Sequence, residues 1–109
     1  MSQALAPAHA QAGQAVAAAA VKYADETGWK RAGQRRWLWA AATRALAFFV
    51  ITAGRGWAGV SAAGCRFAER LLTVVQSLRL QGRRVVGYLY EALVAHRAGL
   101  PTPSLLPAD

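Results

Sequence analysis

Cysteine is almost absent from this chain, since Cys65 stands alone among 109 residues. An intramolecular disulfide and a cysteine-rich zinc site are therefore both excluded, and a reducing cytoplasm is the simpler compartment to expect. Histidine is nearly as scarce. His9 and His96 lie far apart, with no acidic or cysteine cluster beside either, so they do not read as metal ligands. Acids are few as well: five Asp and Glu against thirteen Lys and Arg leave a net charge of +8. Such a field attracts polyanions, DNA or an anionic membrane face, without choosing between them. The first twenty residues hold no Lys or Arg. A secretory signal opens on a basic segment, so none is read here, despite small-residue stretches such as Ala8-His9-Ala10.

Apolar residues supply 55% of the sequence, but many are alanine, which buries little area. The length suits one small domain of marginal stability. Five segments follow from the composition. Residues 1–20 are rich in Ala and Gln, with a short helix expected over 14–20 from alanine propensity, burying little. Residues 21–53 read as a β-meander. Val21 to Asp25 alternates, placing Val21, Tyr23 and Asp25 on one face and Asp25 at the strand's end. Lys30 to Arg36, with Gly33, suits a hairpin connection longer than two residues. Trp37 to Thr43 and Ala45 to Thr52 read as two apolar strands turning at Thr43-Arg44. Apolar faces on both sides are the pattern of a covered sheet, and little chain remains to cover this one.

The same stretch has a membrane reading. Trp37 to Gly54 is 18 residues long and interrupted only by Arg44, near the roughly 20 a spanning helix needs. An arginine at mid-span costs roughly 2.5 to 3.5 kcal/mol on insertion scales. Together with the aromatic and β-branched content, that cost favours two strands.

Residues 54–62 are glycine-rich and aperiodic, reading as a junction. Over 63–99, Phe67, Leu71, Val74, Val75 and Leu78 recur at helical spacing and stop at Gly82; Val85, Leu89, Ala92, Leu93 and His96 continue it to Gly99 and Pro101. A C-terminal helical hairpin is predicted, and residues 100–109 form an extended Pro-rich tail. The fold class is α+β.

Asp25-Glu26-Thr27-Gly28-Trp29 followed by Arg35-Arg36-Trp37-Leu38-Trp39 resembles the start of the catalytic domain in DDE-type transposases of the insertion sequence 66 family. Ser61 to Val75, then Gln81-Gly82-Arg83, Tyr88-Leu89 and Pro103-Ser104-Leu105-Leu106-Pro107, resemble that family's C-terminal helices and tail. In full-length relatives most of the catalytic core separates these segments. Here they abut near Gly54 to Ser61, which implies an internal, in-frame deletion and a partial ribonuclease H-like fold of about three antiparallel strands and the helical hairpin.

The family reaction, as the resemblance implies it, is attack on a DNA phosphodiester by water or a 3′-hydroxyl. Two Mg2+ or Mn2+ ions about 4 Å apart, held by converging carboxylates, activate the nucleophile and stabilise the leaving oxygen. Asp25 matches the first catalytic and metal-binding acid; by composition alone it reads as a turn aspartate bonding the backbone of Thr27 or Gly28. The other two acids of the triad have no counterpart. Glu26 adjoins Asp25 on a strand and faces the opposite way. Glu69 belongs to the helix after the catalytic glutamate's segment and reads as an exposed charge between Arg66 and Arg70. The expectation is thus a remnant that is inactive alone and binds no metal, in the cytoplasm. Weak, non-specific DNA affinity through Arg35, Arg36, Arg66, Arg70, Arg83 and Arg84, or docking on a full-length transposase, stands as the alternative, against solvated arginines. Trp29, Trp37 and Trp39 read as core rather than base-stacking platforms.

Overall fold

The computed structural model describes residues 2–19, 23–31, 34–52 and 66–107. Along the chain run α1 (Ser2–Ala18), β1 (Tyr23–Arg31), β2 (Gln34–Ala42), β3 (Ala47–Thr52), α2 (Arg66–Leu80) and α3 (Val85–Ala98). Among the described residues the architecture is α+β, one antiparallel sheet in the order β1-β2-β3 with three helices. The glycine-rich junction at 54–62 lies outside the described residues.

The N-terminal segment departs from its reading. Instead of a short helix that buries little, α1 extends over 17 residues, passes through Pro7, and buries Ala4, Leu5, Ala8, Ala12 and Val16. The small residues repeat every fourth position, so they form a narrow stripe that lets the helix lie close to its neighbours, and close packing restores the contacts that alanine lacks in area. Proline removes one backbone hydrogen bond, and burial offsets that loss. α1 contacts α2, α3 and β3 and so forms the centre of the helical layer, whereas α2 and α3 touch one another little.

β1 also runs further than alternation suggested, through Asp25 to Arg31, so Asp25 lies inside the strand and not at its end. Arg31 pairs with Gln34, which leaves a two-residue connection where a longer one was expected. Polar residues hide a strand from a hydrophobic reading, and the cross-strand partner Trp37 supplies what Gly28 lacks: a Cβ built on Gly28 would meet the Trp37 ring at 2.7 Å. The next turn shifts by a residue. Arg44 and Ala45 form its corner, the Thr43 N–H donates to the Leu46 carbonyl at 2.8 Å, and the Thr43 hydroxyl accepts the Leu46 N–H at 3.2 Å.

The segment read alternatively as a membrane span is this β2–β3 hairpin from Trp37 to Thr52, and no helix among the described residues is long and apolar enough to cross a membrane. Trp37, Leu38, Trp39 and Ala40 stay half-buried, as the shortage of covering chain implied.

The core joins the helical layer to β3 and the turn before it through Leu5, Ala12, Val16, Leu46, Val74, Leu78, Tyr88 and Leu105. Gly82 (φ 68°) ends the turn after α2, and Gly99 (φ 71°) caps α3 in the left-handed region, its N–H bonded back to the last helical turn. Only glycine adopts such φ values without strain. The buried faces differ from the apolar stripes read in the sequence. Phe67 is exposed, and α2 instead buries Glu69, Thr73 and Ser77 beside Val74 and Leu78. α3 buries Tyr88, Ala92 and Ala95, leaving His96 exposed.

The tail is anchored, not loose. Leu105 is fully buried, its N–H donates to Gln11 Oε1 at 2.7 Å and its carbonyl accepts from Gln81 Nε2 at 2.7 Å.

Candidate functional site

The site suggested by the sequence begins at Asp25. The structure puts it third in β1, opposite Ala40, exposed at the outer strand of the sheet. Glu26, next in the same strand, pairs with Trp39 of β2. Glu91 is exposed on α3, and Asp109 lies outside the described residues. Among the described residues no three His, Cys, Asp or Glu side chains gather as a metal site would require.

Glu69 corrects its reading. It is not an exposed charge between arginines but a buried carboxylate, 3% accessible, that accepts the Ile51 N–H at 2.8 Å. The reason becomes plain one turn further along α2. Thr73 Oγ1 accepts the Phe49 N–H at 2.9 Å. Ser77 Oγ accepts the Ala47 N–H at 2.9 Å and donates to the Ala47 carbonyl at 3.0 Å. Gln81 Nε2, beyond the helix end, donates to the Ala45 carbonyl at 2.9 Å. In an antiparallel ladder every second N–H points away from the partner strand. At the margin of a sheet those groups need water or another partner. Here α2 runs antiparallel along β3 and satisfies them one by one.

The match is geometric. Four helical residues advance about 6.0 Å and two strand residues about 6.8 Å, so positions i, i+4 and i+8 of the helix keep step with alternate strand residues. A helix position repeated every fourth residue also drifts about 40° per step around the axis. Side-chain length follows that drift, with short Thr73 and Ser77 in the middle and longer Glu69 and Gln81 at the ends. α1 completes the seal from its own side, where His9 Nε2–H donates to the Phe49 carbonyl at 2.9 Å and its ring stacks on Phe48 at 4.7 Å. The spacing of Glu69, Thr73, Ser77 and Gln81 was visible in the sequence. Its meaning was not, because a polar stripe beside an apolar one reads as solvent-facing until a strand margin is known to lie against it.

The arginines divide by environment. Arg66 and Arg84 are exposed. Arg70 is half-buried and donates to the hydroxyl and carbonyl of Ser2 at 2.9 and 3.2 Å, tying α2 to the start of α1. Arg83 donates to Gln81 Oε1 at 3.0 Å and to the Ser104 carbonyl at 3.1 Å, with its guanidinium 5.5 Å from the centre of the Tyr88 ring. Arg35 and Arg36 sit in β2 opposite Lys30 and Trp29, and their side chains lie outside the described residues. A groove lined by Gly82, Arg83, Arg84, Gly87, Tyr88 and Glu91 opens at the start of α3. The Tyr88 hydroxyl donates to the Pro103 carbonyl at 2.6 Å. Burial pushes this phenol up to about 12, opposed by the nearby Arg83 charge.

Trp37 and Trp39 are half-buried on the sheet, while the Trp29 side chain lies outside the described residues. Compared with family models, curated proteins and solved structures, the chain matches none.

Proposed function

We propose that this chain is a remnant of an insertion sequence 66 type transposase, joining the start of the catalytic domain to its C-terminal end, and that it neither cleaves nor joins DNA alone. The three antiparallel strands with Asp25 on the first of them support a partial ribonuclease H-like ancestry. Two acids of the triad have no counterpart in the sequence, and the observation that bears on a substitute for them is the fate of Glu69. A DDE site needs carboxylates converging on two cations, and this one is buried and engaged with the Ile51 N–H. In this reading Mg2+ or Mn2+ belongs to the intact family and not to the present chain.

The test is direct. The purified chain is incubated with DNA bearing terminal repeats of such an element, with Mg2+ or Mn2+ added. No nicking or strand transfer is expected above the level of an Asp25→Asn variant, and Asp25-dependent cleavage overturns the proposal.

A binding role is the second reading, favoured by exposed Arg66 and Arg84 on a chain of net charge +8. Phosphate neutralisation gives affinity that falls linearly on a log–log plot against salt. Each of Arg66→Ala and Arg84→Ala is expected to lower that slope by about one. Failure of DNA to retain the chain at low ionic strength removes this reading, leaving docking on an intact transposase to be judged by co-purification.

A further inference from the structure

The two margins of the sheet are treated differently. β3 is sealed by side chains of α1 and α2, while among the described residues β1 pairs with β2 alone and forms the opposite margin of the sheet. Its first three residues are exposed, Tyr23 to the extent of 78%. Proteins that keep a strand margin from pairing place helices, prolines, bulges or charges along it; β1, Tyr23-Ala24-Asp25-Glu26-Thr27-Gly28-Trp29-Lys30-Arg31, contains no proline, and its four charges are two of each sign, so they repel only a partner that sets like against like.

The order of charges within that strand identifies what it fits. Acidic Asp25 and Glu26 precede Gly28, and basic Lys30 and Arg31 follow it at mirrored distances. A second copy of β1 laid antiparallel with a two-fold axis at Gly28 sets position 25 opposite 31, 26 opposite 30, 27 opposite 29, and Gly28 opposite itself. Both acidic positions then face basic ones, and the symmetry repeats each pairing. Shifting the register by one residue in either direction keeps only one acid–base pairing per copy, and a shift of two keeps none. Opposite charges directly across a ladder stabilise it and like charges destabilise it. A two-fold axis passes through residue pairs of either hydrogen-bonding phase in an antiparallel ladder, so the arrangement does not depend on which β1 amides face outward.

We infer that β1 is a homodimerisation strand, pairing antiparallel with β1 of a second copy about Gly28 to give a continuous six-stranded sheet. The interface is isologous and closes on itself, with the main chain supplying affinity as in other cases of strand addition. With β3 sealed, growth stops at two copies. The inference is independent of the proposed ancestry.

Sedimentation velocity on the full chain, together with two charge variants, tests it. The wild-type chain is expected to form a concentration-dependent dimer at low salt. Lys30→Glu/Arg31→Glu makes the strand wholly acidic and Asp25→Arg/Glu26→Lys makes it wholly basic, so each alone is expected to dissociate on the order of 100-fold more readily. Mixed in equal amounts they restore every pairing, and a heterodimer is expected. That rescue also guards against misfolding of either variant. A wild-type chain that stays monomeric up to about 100 µM, variants that still self-associate, or a mixture that fails to associate each overturns the inference.

Discussion

The carboxylate of Glu69 accepts the backbone N–H of Ile51 at 2.8 Å, from a helix residue that is almost wholly inaccessible. This one contact opens the ladder by which α2 closes the β3 margin. An acid spent on the backbone of its own sheet is a structural group.

Its removal should therefore cost stability. An unsatisfied buried N–H costs about 1–3 kcal/mol, so Glu69→Ala and Thr73→Val are each expected to lower unfolding free energy by that amount. Glu69→Gln and Thr73→Ser keep an acceptor and should cost less. Because neighbouring rungs hold the same strand, Thr73→Val with Ser77→Ala should be non-additive. Urea denaturation of the set checks this, and equal stabilities for Thr73→Val and Thr73→Ser would contradict it.

Tyr88 predicts a pH dependence at the alkaline end. Burial pushes its phenol up from the ordinary 10.0 to about 12 in the folded chain, against the opposing pull of the Arg83 charge. Between those values the folded state holds a proton that the unfolded state has lost, so stability falls as pH rises through this window. Below it the group makes no difference to the slope. Tyr88→Phe should remove this component of the decline, at the cost of the hydrogen bond to Pro103. Stability curves of both proteins from neutral pH to about 12, the upper limit set by arginine and tyrosine titration, should converge in slope only if the assignment is wrong.

Gly13 sets two effects against each other. Alanine at a helix interior gains about 1 kcal/mol over glycine. Its Cβ, however, would lie 2.8 Å from the Phe48 ring, which is held in place by the stacked His9. Overpacking of this kind costs about 1–3 kcal/mol, so Gly13→Ala is expected to destabilise the protein despite better propensity. A raised Tm would show that Phe48 yields freely.

Leu105 anchors the C-terminal segment from a fully buried position. Truncation of a buried leucine to alanine costs about 2–5 kcal/mol, more than is expected of a tail on the surface. Leu105→Ala should release residues 100–107 and accelerate limited proteolysis there, whereas Leu106→Ala, at an exposed neighbour, should do neither. Equal proteolysis of the two variants would deny the anchor.

Local chemistry made much of the framework legible. Gly82 and Gly99 mark helix ends because only glycine takes their left-handed φ without strain, and apolar, β-branched and aromatic residues from Trp37 to Thr52 favour strands over a span broken by Arg44. What the sequence could not specify depended on neighbours distant in the chain. Ala4, Ala8, Ala12 and Val16 become core only because α2, α3 and β3 accept a closely packed helix; Leu105 becomes core because Gln11 and Gln81 hold its backbone. Glu69, Thr73 and Ser77 are inside because the N–H groups of Ile51, Phe49 and Ala47 point away from β2 and bond to them. Propensity and periodicity act within a few residues, while the partner of a buried polar group is chosen by whichever unsatisfied backbone the fold brings against it.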